Sequence, residues 1–182
     1  MQKKIIVIEP SGSLYGSEMV LFDILKNRMD SQLQYTVALP PNSPFSAELK
    51  TINVPLIEIL DIKRGRLKKL VSYLLLFLHI KKNNYDLIFV NQAGIQRAIS
   101  TMANRLDIPV VSEVSTLEDG RLVNGLSKKY LRPVKSFICN SKFIADNLHI
   151  PKEIKSTLYY GYQWKGLQPK KKKKTNPFHV VL

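Results

Sequence analysis

The stretch Lys4–Glu18, which reads K-I-I-V-I-E-P-S-G-S-L-Y-G-S-E, decides the fold. Its first part, Lys4–Glu9, is a short apolar run of the kind found in strands that are buried on both faces of a parallel sheet. A loop at Pro10–Gly16 follows, and Ser17–Arg28 then places apolar residues at helical spacing. A buried strand that leads through a glycine-containing loop into an amphipathic helix predicts an α/β domain.

The rest of the chain continues this alternation of strands and helices. Short apolar runs predict six further strands, at Tyr35–Leu39, Val54–Ile59, Asp86–Val90, Pro109–Val114, Ser136–Cys139 and Lys155–Leu158. Helical patterns lie between them, at Phe45–Thr51, Gly65–Lys82, Gly94–Leu106, Leu117–Leu131 and Ser141–Leu148, with Ser141 as the expected cap of the last helix. Strands that alternate with helices pair in parallel. We therefore expect a Rossmann-like, doubly wound parallel sheet whose ligands bind beyond the C-terminal ends of the strands.

Composition and charge favour a globular domain with an anionic partner. The chain has 182 residues, 45% of them apolar, and 28 basic against 14 acidic side chains give a net charge of +14. Such a surface favours phosphate groups, nucleic acid or an acidic lipid leaflet, and the sign alone does not choose among them. The single cysteine, Cys139, excludes an internal disulfide and lies in an apolar run that favours a buried structural thiol. Because no signal-peptide pattern is visible, we expect a cytoplasmic location.

We expect three regions along the chain. Residues 1–164 contain the alternating strands and helices and predict one Rossmann-like domain. Residues 165–177 form a lysine-rich linker that includes Lys170–Lys174, and residues 178–182 begin a new apolar run. The linker and this run predict that a second domain normally follows the first.

The loop after the first strand, Ser11–Glu18, is the best candidate for a binding site. Gly12 and Gly16 would let the backbone approach a ligand, and the amides after Gly16 form a natural anion site at the start of the helix. The loop lacks G-x-G-x-x-G, and the second strand ends in A-L-P rather than in an acidic residue, so NAD binding is disfavoured. No G-K-[ST] sequence supports a P-loop. The alternative is a tight strand-to-helix turn in which Ser17 caps the helix.

Five short segments match, in order and spacing, the motifs of one enzyme family. They are Tyr15–Glu18, Tyr85–Asn91, Ile108–Val111, Ile138–Ala145 and Ile154–Gln163. The first resembles the G-G-A-E that opens the first helix of glycosyltransferase family 4, and the fourth resembles that family's strand-to-helix junction around a serine. Over essentially its whole length the chain is similar to the N-terminal, acceptor-side domain of these enzymes. They have the GT-B architecture, which is built from two Rossmann-like domains.

The resemblance implies an enzyme that transfers a hexosyl group from a nucleotide-sugar donor to a polysaccharide, glycolipid or lipid-linked acceptor, in the synthesis of bacterial envelope or capsule polysaccharide. It implies no metal and no cofactor besides the donor, and it implies that this chain alone is inactive. The amides around Gly16 would help to neutralise the leaving diphosphate. The residues implied to bind donor or acceptor are Gly12, Tyr15, Gly16, Ser17, Glu18, Asn91, Glu113, Ser115, Glu118 and Gly161.

Three positions depart from the family pattern. Ser115 stands where the family usually has a histidine close to the reaction centre. Tyr160 replaces the asparagine of the N-G-V-D motif, and Gln163 replaces its aspartate. These departures indicate either that this chain handles its acceptor differently or that the motif alignment is shifted by a residue or two.

The predicted helix Gly65–Lys82 combines basic ends with an apolar centre. The centre, Leu70–Ile80, is too short to cross a bilayer, which needs about 20 apolar residues. Such a helix can lie on an anionic membrane with its basic side chains at the headgroups, which would place the enzyme at the inner face of the membrane. It can also cover the sheet and leave its charged ends in solvent. The basic residues at its start are Arg64, Arg66, Lys68 and Lys69.

Two other functions remain open from the residues alone. A non-catalytic Rossmann-like module would bind nucleic acid or another anionic ligand through the basic surface. Nucleic acid is the weaker choice, because aromatic side chains are not interleaved with basic ones as a base-stacking surface requires. A stand-alone flavodoxin-like regulator would leave the linker and the final apolar run unexplained.

Overall fold

The computed structural model describes residues 2–27, 32–61 and 65–160. Within these residues the strands are β1 (Lys3–Ile8), β2 (Leu33–Leu39), β3 (Leu56–Glu58), β4 (Leu87–Val90), β5 (Val110–Val114), β6 (Val134–Cys139) and β7 (Lys155–Thr157). The α-helices are α1 (Gly16–Lys26), α2 (Pro44–Lys50), α3 (Arg66–Asn83), α4 (Gln96–Leu106), α5 (Leu117–Asn124), α6 (Lys128–Leu131) and α7 (Lys142–Asp146). Two short 3-10 helices lie at Ala93–Ile95 and Lys152–Ile154. Arg64, Gly161, the linker 165–177 and residues 178–182 lie outside the described residues.

The strands form one parallel sheet in the order β3-β2-β1-β4-β5-β6-β7. Strand order reverses between β1 and β4, so that Ile8 pairs with Ala38 of β2 on one side and with Val90 of β4 on the other. The predicted Rossmann-like, doubly wound parallel sheet is confirmed. In such sheets the crevice at the reversal point, beyond the C-terminal ends of the strands, is where ligands bind.

The two faces of the sheet are covered by different helices. Ile6 and Ile8 of β1 pack in a core with buried residues of α3, α4, α5 and α7, whereas Val7 packs in a second core with buried residues of α1 and α2. Successive residues of a strand point to opposite faces, which explains why one apolar run contributes to both cores. The unbroken apolar pattern of Lys4–Glu9 therefore reflects burial on both sides.

Most predicted elements occur close to their expected bounds, with three local differences. The helix predicted at Gly94–Leu106 begins with the 3-10 turn Ala93–Ile95, and the segment predicted at Leu117–Leu131 is divided at Gly125 into α5 and α6. The expected cap of α7 is confirmed, because Oγ of Ser141 accepts a hydrogen bond from the amide of Ile144 at 3.3 Å. The alternative interpretation in which Ser17 caps the first helix is wrong: the N-cap of α1 is Tyr15, whose side chain makes no capping hydrogen bond.

Helix α3 packs against the sheet through only a few of its residues. Its buried residues are Ser72, Leu76 and Ile80, and the last two belong to the core on that face. The sheet-covering arrangement is therefore present, while most other apolar side chains of α3 lie at the surface. No helix in the described part of the chain is long and apolar enough to traverse a bilayer.

Candidate functional site

Buried polar side chains lie together at the ends of three neighbouring strands. Glu9 follows β1, Asn91 follows β4 and Glu113 lies near the end of β5, and their exposed fractions are 0%, 1% and 2%. Glu18, in the first turn of α1, is also fully buried. Because β1, β4 and β5 are adjacent and parallel, this group lies at the edge of the sheet where strand order reverses. We call Glu9, Glu18, Asn91 and Glu113 the polar cluster.

Glu9 is the centre of the polar cluster, and sequence analysis did not identify it. Its Oε1 accepts hydrogen bonds from the backbone amides of Ser11 and Gly12, at 2.7 Å and 3.3 Å. Its Oε2 accepts a hydrogen bond from Nδ2 of Asn91 at 2.5 Å. Burial raises the pKa of the Glu9 carboxyl above its ordinary value of 4.5, although these hydrogen bonds act in the opposite direction. The available signal was an acidic residue placed directly after a buried strand and before a glycine loop.

Gly12, rather than Gly16, is the glycine that the loop requires. Gly12 has a φ of +64°, and a Cβ at this position would lie 2.6 Å from Cβ of Ser43. The carbonyl of Gly12 also accepts a hydrogen bond from the amide of Phe45 at 3.1 Å, so the loop after β1 rests on the start of α2. Gly16 has nothing within 4 Å of a Cβ position. Position 16 therefore has room for a side chain, and neither its surroundings nor its backbone conformation requires glycine.

Glu18 connects the loop after β1 to the loop after β4. Its Oε1 accepts hydrogen bonds from Oγ of Ser11 and from Nε2 of Gln92, the latter at 3.2 Å. Its Oε2 accepts a hydrogen bond from Oγ of Ser17 at 2.9 Å. Ser17, which only the alternative interpretation of the loop made the helix cap, orients this carboxylate. A buried carboxylate in the first turn also supplies the negative charge that the N-terminus of a helix favours.

Glu113 carries two hydroxyl partners. Oγ of Ser115 and the phenol of Tyr160 both donate hydrogen bonds to its carboxylate. Burial raises the pKa of the Glu113 carboxyl, and the neighbouring Glu9 charge raises it further. Ser115 is held in turn by Asn140, whose Nδ2 donates to the Ser115 carbonyl at 3.1 Å. Two positions that depart from the family pattern, Ser115 and Tyr160, therefore meet on one carboxylate.

Glu118, which the resemblance implied as a site residue, is exposed at the start of α5. The next residue, Asp119, is partly buried. Oγ1 of Thr116 donates a hydrogen bond to its Oδ2 at 2.9 Å, and the amide of Asp119 donates back to Oγ1 of Thr116 at 3.1 Å. Burial raises the pKa of the Asp119 carboxyl. Asp119 also lies beside Gly94, whose Cβ position would be 3.8 Å from its Oδ1. Asp119 is therefore better placed than Glu118 to act near the loop after β4.

Residues beside the polar cluster in the loops, which we call its outer layer, are more exposed than the cluster itself. Tyr15 is 74% exposed, Gly16 is exposed, and Ser17, Gln92 and Ser115 are partly buried. A ligand at this edge of the sheet would meet these residues first. The carboxylates beneath them are suited to fixing the positions of the loops.

The electrostatics of the polar cluster favour hydroxyl groups over phosphate groups. Three carboxylates lie close together, and among the described residues Oδ1 of Asn91 is buried without a hydrogen-bond partner. A buried carbonyl oxygen without a partner favours a ligand that donates a hydrogen bond. Clustered carboxylates repel a second anion nearby, whereas the neutral hydroxyls of a sugar are not repelled.

The basic residues singled out from the sequence lie elsewhere. Arg66, Lys68 and Lys69 are exposed in the first turn of α3, and no ion pair joins them to the polar cluster in the described ranges. Residues 2–27, 32–61 and 65–160 contain no group of three His, Cys, Asp or Glu side chains that is placed to hold a metal ion.

Comparison by sequence gives no relative. No protein-family model matches the chain, and no curated protein matches it.

Comparison by structure gives clear similarities to proteins that share 20% or less of this chain's sequence. The HepE protein of Anabaena, solved in complex with UDP and glucose, superposes with a TM-score of 0.69 at 20% identity over 88% of this chain and 45% of its own. MurG of Acinetobacter baumannii superposes with a TM-score of 0.66 at 17% identity, over 89% of this chain and 47% of its own. The lipopolysaccharide outer core galactosyltransferase WaaB superposes with a TM-score of 0.65 at 13% identity, over 94% of this chain and 50% of its own. The chain has the fold of one GT-B domain.

Two features of these similarities bear on function. The chain spans about half the length of each of these structures, so the activity of a whole enzyme is a matter of proposal. The fold also occurs in a UDP-N-acetylglucosamine 2-epimerase from Rickettsia bellii, with a TM-score of 0.60 at 12% identity. Fold similarity alone therefore does not select the reaction, which has to be argued from the site.

Proposed function

We propose that this chain is the N-terminal, acceptor-side half of a family 4 glycosyltransferase that transfers a hexosyl group from a nucleotide sugar. The acceptor would be a polysaccharide, glycolipid or lipid-linked sugar of the bacterial envelope or capsule. The observation that carries the proposal is the polar cluster, because it lies at the strand-order reversal of a sheet shared with GT-B glycosyltransferases. The proposal includes no metal and no cofactor besides the donor.

In this proposal the polar cluster organises the acceptor side of the reaction. Glu9 holds the loop after β1, Glu18 ties that loop to Gln92, and Glu113 holds Ser115. The outer-layer residues of these loops would bind acceptor hydroxyls. When the oxygen of an acceptor hydroxyl forms its bond to the anomeric carbon, the bond from that carbon to the diphosphate oxygen breaks and its electron pair stays with the diphosphate. The hydroxyl proton passes to the leaving diphosphate, which departs with the nucleotide.

The position of Glu18 changes the role proposed for the amides around Gly16. They were expected to bind the leaving diphosphate, but a buried carboxylate already occupies the first turn of α1. A second anion beside Glu18 and Glu9 would be repelled. We therefore propose that the loop after β1 binds the acceptor and that the diphosphate is held by groups outside the polar cluster.

Amide chemical shifts of the isotope-labelled chain test this proposal. Lactose, cellobiose or N-acetylglucosamine should shift the amides of Gly16, Ser17, Gln92 and Ser115, whereas UDP should not. Gln92→Leu removes a donor of the outer layer and should weaken the sugar response. Gln34→Leu, at the opposite end of the sheet, is the matched control and should preserve it. Shifts of these amides by UDP, with none from the sugars, would overturn the proposed acceptor role.

The excess of basic side chains favours one alternative function. Only two ion pairs occur among the described residues, Lys3–Asp86 and Lys50–Glu58, so most basic side chains there have no carboxylate partner. A non-catalytic module for nucleic acid or another anionic ligand would use this charge. Tight binding of a labelled single-stranded oligonucleotide that falls steeply with salt, together with no response to sugars, would favour that alternative.

For the location, we propose the cytoplasm, with peripheral binding at the inner face of the membrane. The support is the basic first turn of α3, which contains Arg66, Lys68 and Lys69.

A further inference from the structure

A groove of about 490 Å³ runs beside helix α4, where residues of α3, the 3-10 turn Ala93–Ile95, α5 and α6 also line it. This volume is within the range of roughly 300–1,000 Å³ that is usual for small-molecule sites. Leu122 and Leu126 give the groove an apolar wall, and none of the described residues that line it is acidic. The groove shares no residue with the polar cluster, so it is a separate feature of the molecule.

Two cations line the groove, and each lies beside an aromatic ring. Nζ of Lys69 is 5.8 Å from the ring centroid of Tyr73, and Cζ of Arg97 is 5.5 Å from the ring centroid of Tyr130. The attraction between a cation and a ring favours these positions of the two long side chains. Neither cation forms an ion pair with a carboxylate in residues 2–27, 32–61 and 65–160. Such a pair of cations favours a ligand that carries an anionic group.

The groove also has an unsatisfied polar side chain among its lining residues. Gln96 is 1% exposed, and its Nε2 donates a hydrogen bond to Oγ of Ser100 at 2.9 Å. Its Oε1 is buried and has no hydrogen-bond partner among the described residues. A buried amide oxygen without a partner costs free energy, so this position favours a ligand that supplies a hydroxyl or N–H donor.

These three features together define the chemistry of one ligand. The ligand has an anionic group for Lys69 and Arg97, a hydrogen-bond donor for Gln96, and an apolar surface for Leu122 and Leu126. A sugar ring supplies both hydroxyl donors and apolar C–H surface, and a carboxylate or phosphate on the ring supplies the charge. We propose that this groove binds an acidic saccharide, in which a sugar ring carries a carboxylate or a phosphate.

The groove adjoins the loop after β4, which connects it to the candidate site. Ala93 and Gly94 line the groove, and they directly follow Asn91 and Gln92 in the chain. A Cβ at Gly94 would lie 3.8 Å from Oδ1 of Asp119 and 3.8 Å from Cδ1 of Leu122. The same turn therefore contacts both the wall of the groove and a carboxyl beside the candidate site.

This position gives the groove a role within the proposed function, on which the assignment of that role rests. The acidic sugar belongs to the acceptor, which extends from the groove to the loops after β1 and β4. Lys69 and Arg97 then select acidic acceptors over neutral ones. The neutral hydroxyls of the acceptor lie at the polar cluster, whose carboxylates repel anions.

A nucleic acid fits the groove less well. Its bases would need aromatic faces on which to stack. The ring of Tyr130 already has two cations beside it, Arg97 at 5.5 Å and Lys129 at 4.8 Å. A saccharide does not depend on such stacking.

Amide chemical shifts of the isotope-labelled chain test the proposal. Glucuronic acid and glucose 1-phosphate are the acidic probes, and glucose is the neutral one. At least one acidic probe should shift the amides of Gly94, Arg97, Ala98 and Thr101, and it should bind roughly 10-fold more tightly than glucose, from two partly exposed ion pairs. The acidic probe that binds more tightly identifies the carboxylate or the phosphate as the preferred group. Inorganic phosphate, glycerol 3-phosphate and UDP should each bind more weakly than that probe.

A double variant tests the two cations. Lys69→Gln/Arg97→Gln should lower the affinity for the acidic probe by roughly 10-fold and should leave the weak response to glucose unchanged. Lys68→Gln/Arg105→Gln is the matched control, because it removes one exposed charge from each of the same two helices but neither residue lines the groove. The control should bind the acidic probe like the wild type.

A second variant separates a binding role of Gln96 from a structural one. Gln96→Leu removes the unsatisfied oxygen, and Oγ of Ser100 keeps its hydrogen bond to the carbonyl of Tyr130 at 2.6 Å. The midpoint of thermal unfolding should therefore stay at or above that of the wild type, while the affinity for the acidic probe falls about fivefold, the usual net contribution of one hydrogen bond. Unchanged affinity in this variant would remove Gln96 from the site.

Three outcomes would overturn the proposal. The first is that neither acidic probe binds more tightly than glucose, and the second is that the Lys69→Gln/Arg97→Gln variant binds the acidic probe like the wild type. The third is equal or tighter binding of one of the other phosphates: inorganic phosphate would indicate a general anion site, glycerol 3-phosphate a lipid headgroup, and UDP the nucleotide of the donor. The amides of the groove differ from Gly16, Ser17, Gln92 and Ser115, which report the proposed acceptor site. The groove can therefore fail while those amides still respond to neutral sugars, and the reverse also holds.

Discussion

The side-chain amide of Asn91 donates a hydrogen bond to the carboxylate of Glu9 across 2.5 Å, and this contact joins the two strands between which strand order reverses. Only one end of the amide is used, since Oδ1 of Asn91 has no partner among the described residues. The hydrogen bond lowers the pKa of Glu9 and burial raises it, and burial has the larger effect. The loops after β1 and β4 are therefore held by a carboxylate in surroundings that disfavour its charge.

We expect the protein to lose stability as the pH rises, partly because Glu9 becomes ionised in a buried position. Replacing Glu9 with glutamine should remove this part of the loss. A carboxyl whose pKa is higher in the folded state binds more protons when folded, so its stabilising contribution is complete below the unfolded value, near 4.5. This contribution is lost as the pH rises through the pKa that Glu9 has in the folded state. The carboxamide resembles the protonated acid and carries no charge. Urea denaturation at a series of pH values should therefore show a flatter dependence of the unfolding free energy on pH for Glu9→Gln.

The control for this prediction is Glu153→Gln, which changes an exposed carboxylate in the second 3-10 helix. It should keep the wild-type dependence on pH. Some dependence should remain in Glu9→Gln, because burial also raises the pKa values of Glu113 and Asp119. The same slope in Glu9→Gln as in the wild type would contradict the prediction.

Alanine at Gly12 should destabilise the protein by about 1–3 kcal/mol, because it combines a left-handed backbone with a steric clash. Its φ is +64°, and the new Cβ would lie 2.6 Å from Cβ of Ser43. Gly16→Ala is the matched control in the same loop, since nothing lies within 4 Å of its Cβ position. That change should be neutral or should stabilise by about 0.5–1 kcal/mol, because alanine is the better helix former. Thermal unfolding of both variants measures the difference, and similar losses would refute it.

Removing the phenol of Tyr160 should destabilise the protein more at alkaline than at acidic pH. The hydroxyl donates to the Glu113 carboxylate and lowers the pKa of that group, so it stabilises mainly the ionised form. Tyr160→Phe should cost about 1 kcal/mol above the pKa of Glu113, the usual net value of a hydrogen bond, and less below it. Tyr159→Phe is the control: Tyr159 is 67% exposed and its hydroxyl accepts only a long hydrogen bond from the amide of Lys142, at 3.3 Å, so its cost should be small and should not vary with pH. A loss for Tyr160→Phe that does not vary with pH would mean that the hydroxyl acts elsewhere.

The fold was predictable because its signals are local. Unbroken apolar runs such as Lys4–Glu9 show burial on both faces of a sheet, and helices between such runs impose parallel pairing. The observed bounds of some elements differ by a few residues from the predicted ones, because local capping residues such as Tyr15 and Gly125 set where a helix begins or ends. These shifts leave the topology unchanged.

The centre of the candidate site was not predictable because its contacts join distant parts of the chain. Glu9 and Asn91 are 82 residues apart in sequence, and Glu9 alone resembles the polar end of a strand. The need for glycine at position 12 comes from Ser43 in another loop. In α3 both sides are apolar, so the pattern could not show that Leu76 and Ile80 face the core while Leu70 and Leu74 face outwards.

Residues 1–182 alone should unfold in one cooperative transition and should not turn over UDP-glucose. The first expectation follows from the single sheet with a core on each face. The second follows from the polar cluster, whose carboxylates disfavour a diphosphate at the only strand-order reversal in the described residues. Scanning calorimetry and release of UDP measure the two properties. Sugar transfer by this chain alone would show that the donor is bound by groups within residues 1–182, and the proposed division between acceptor and donor halves would be wrong.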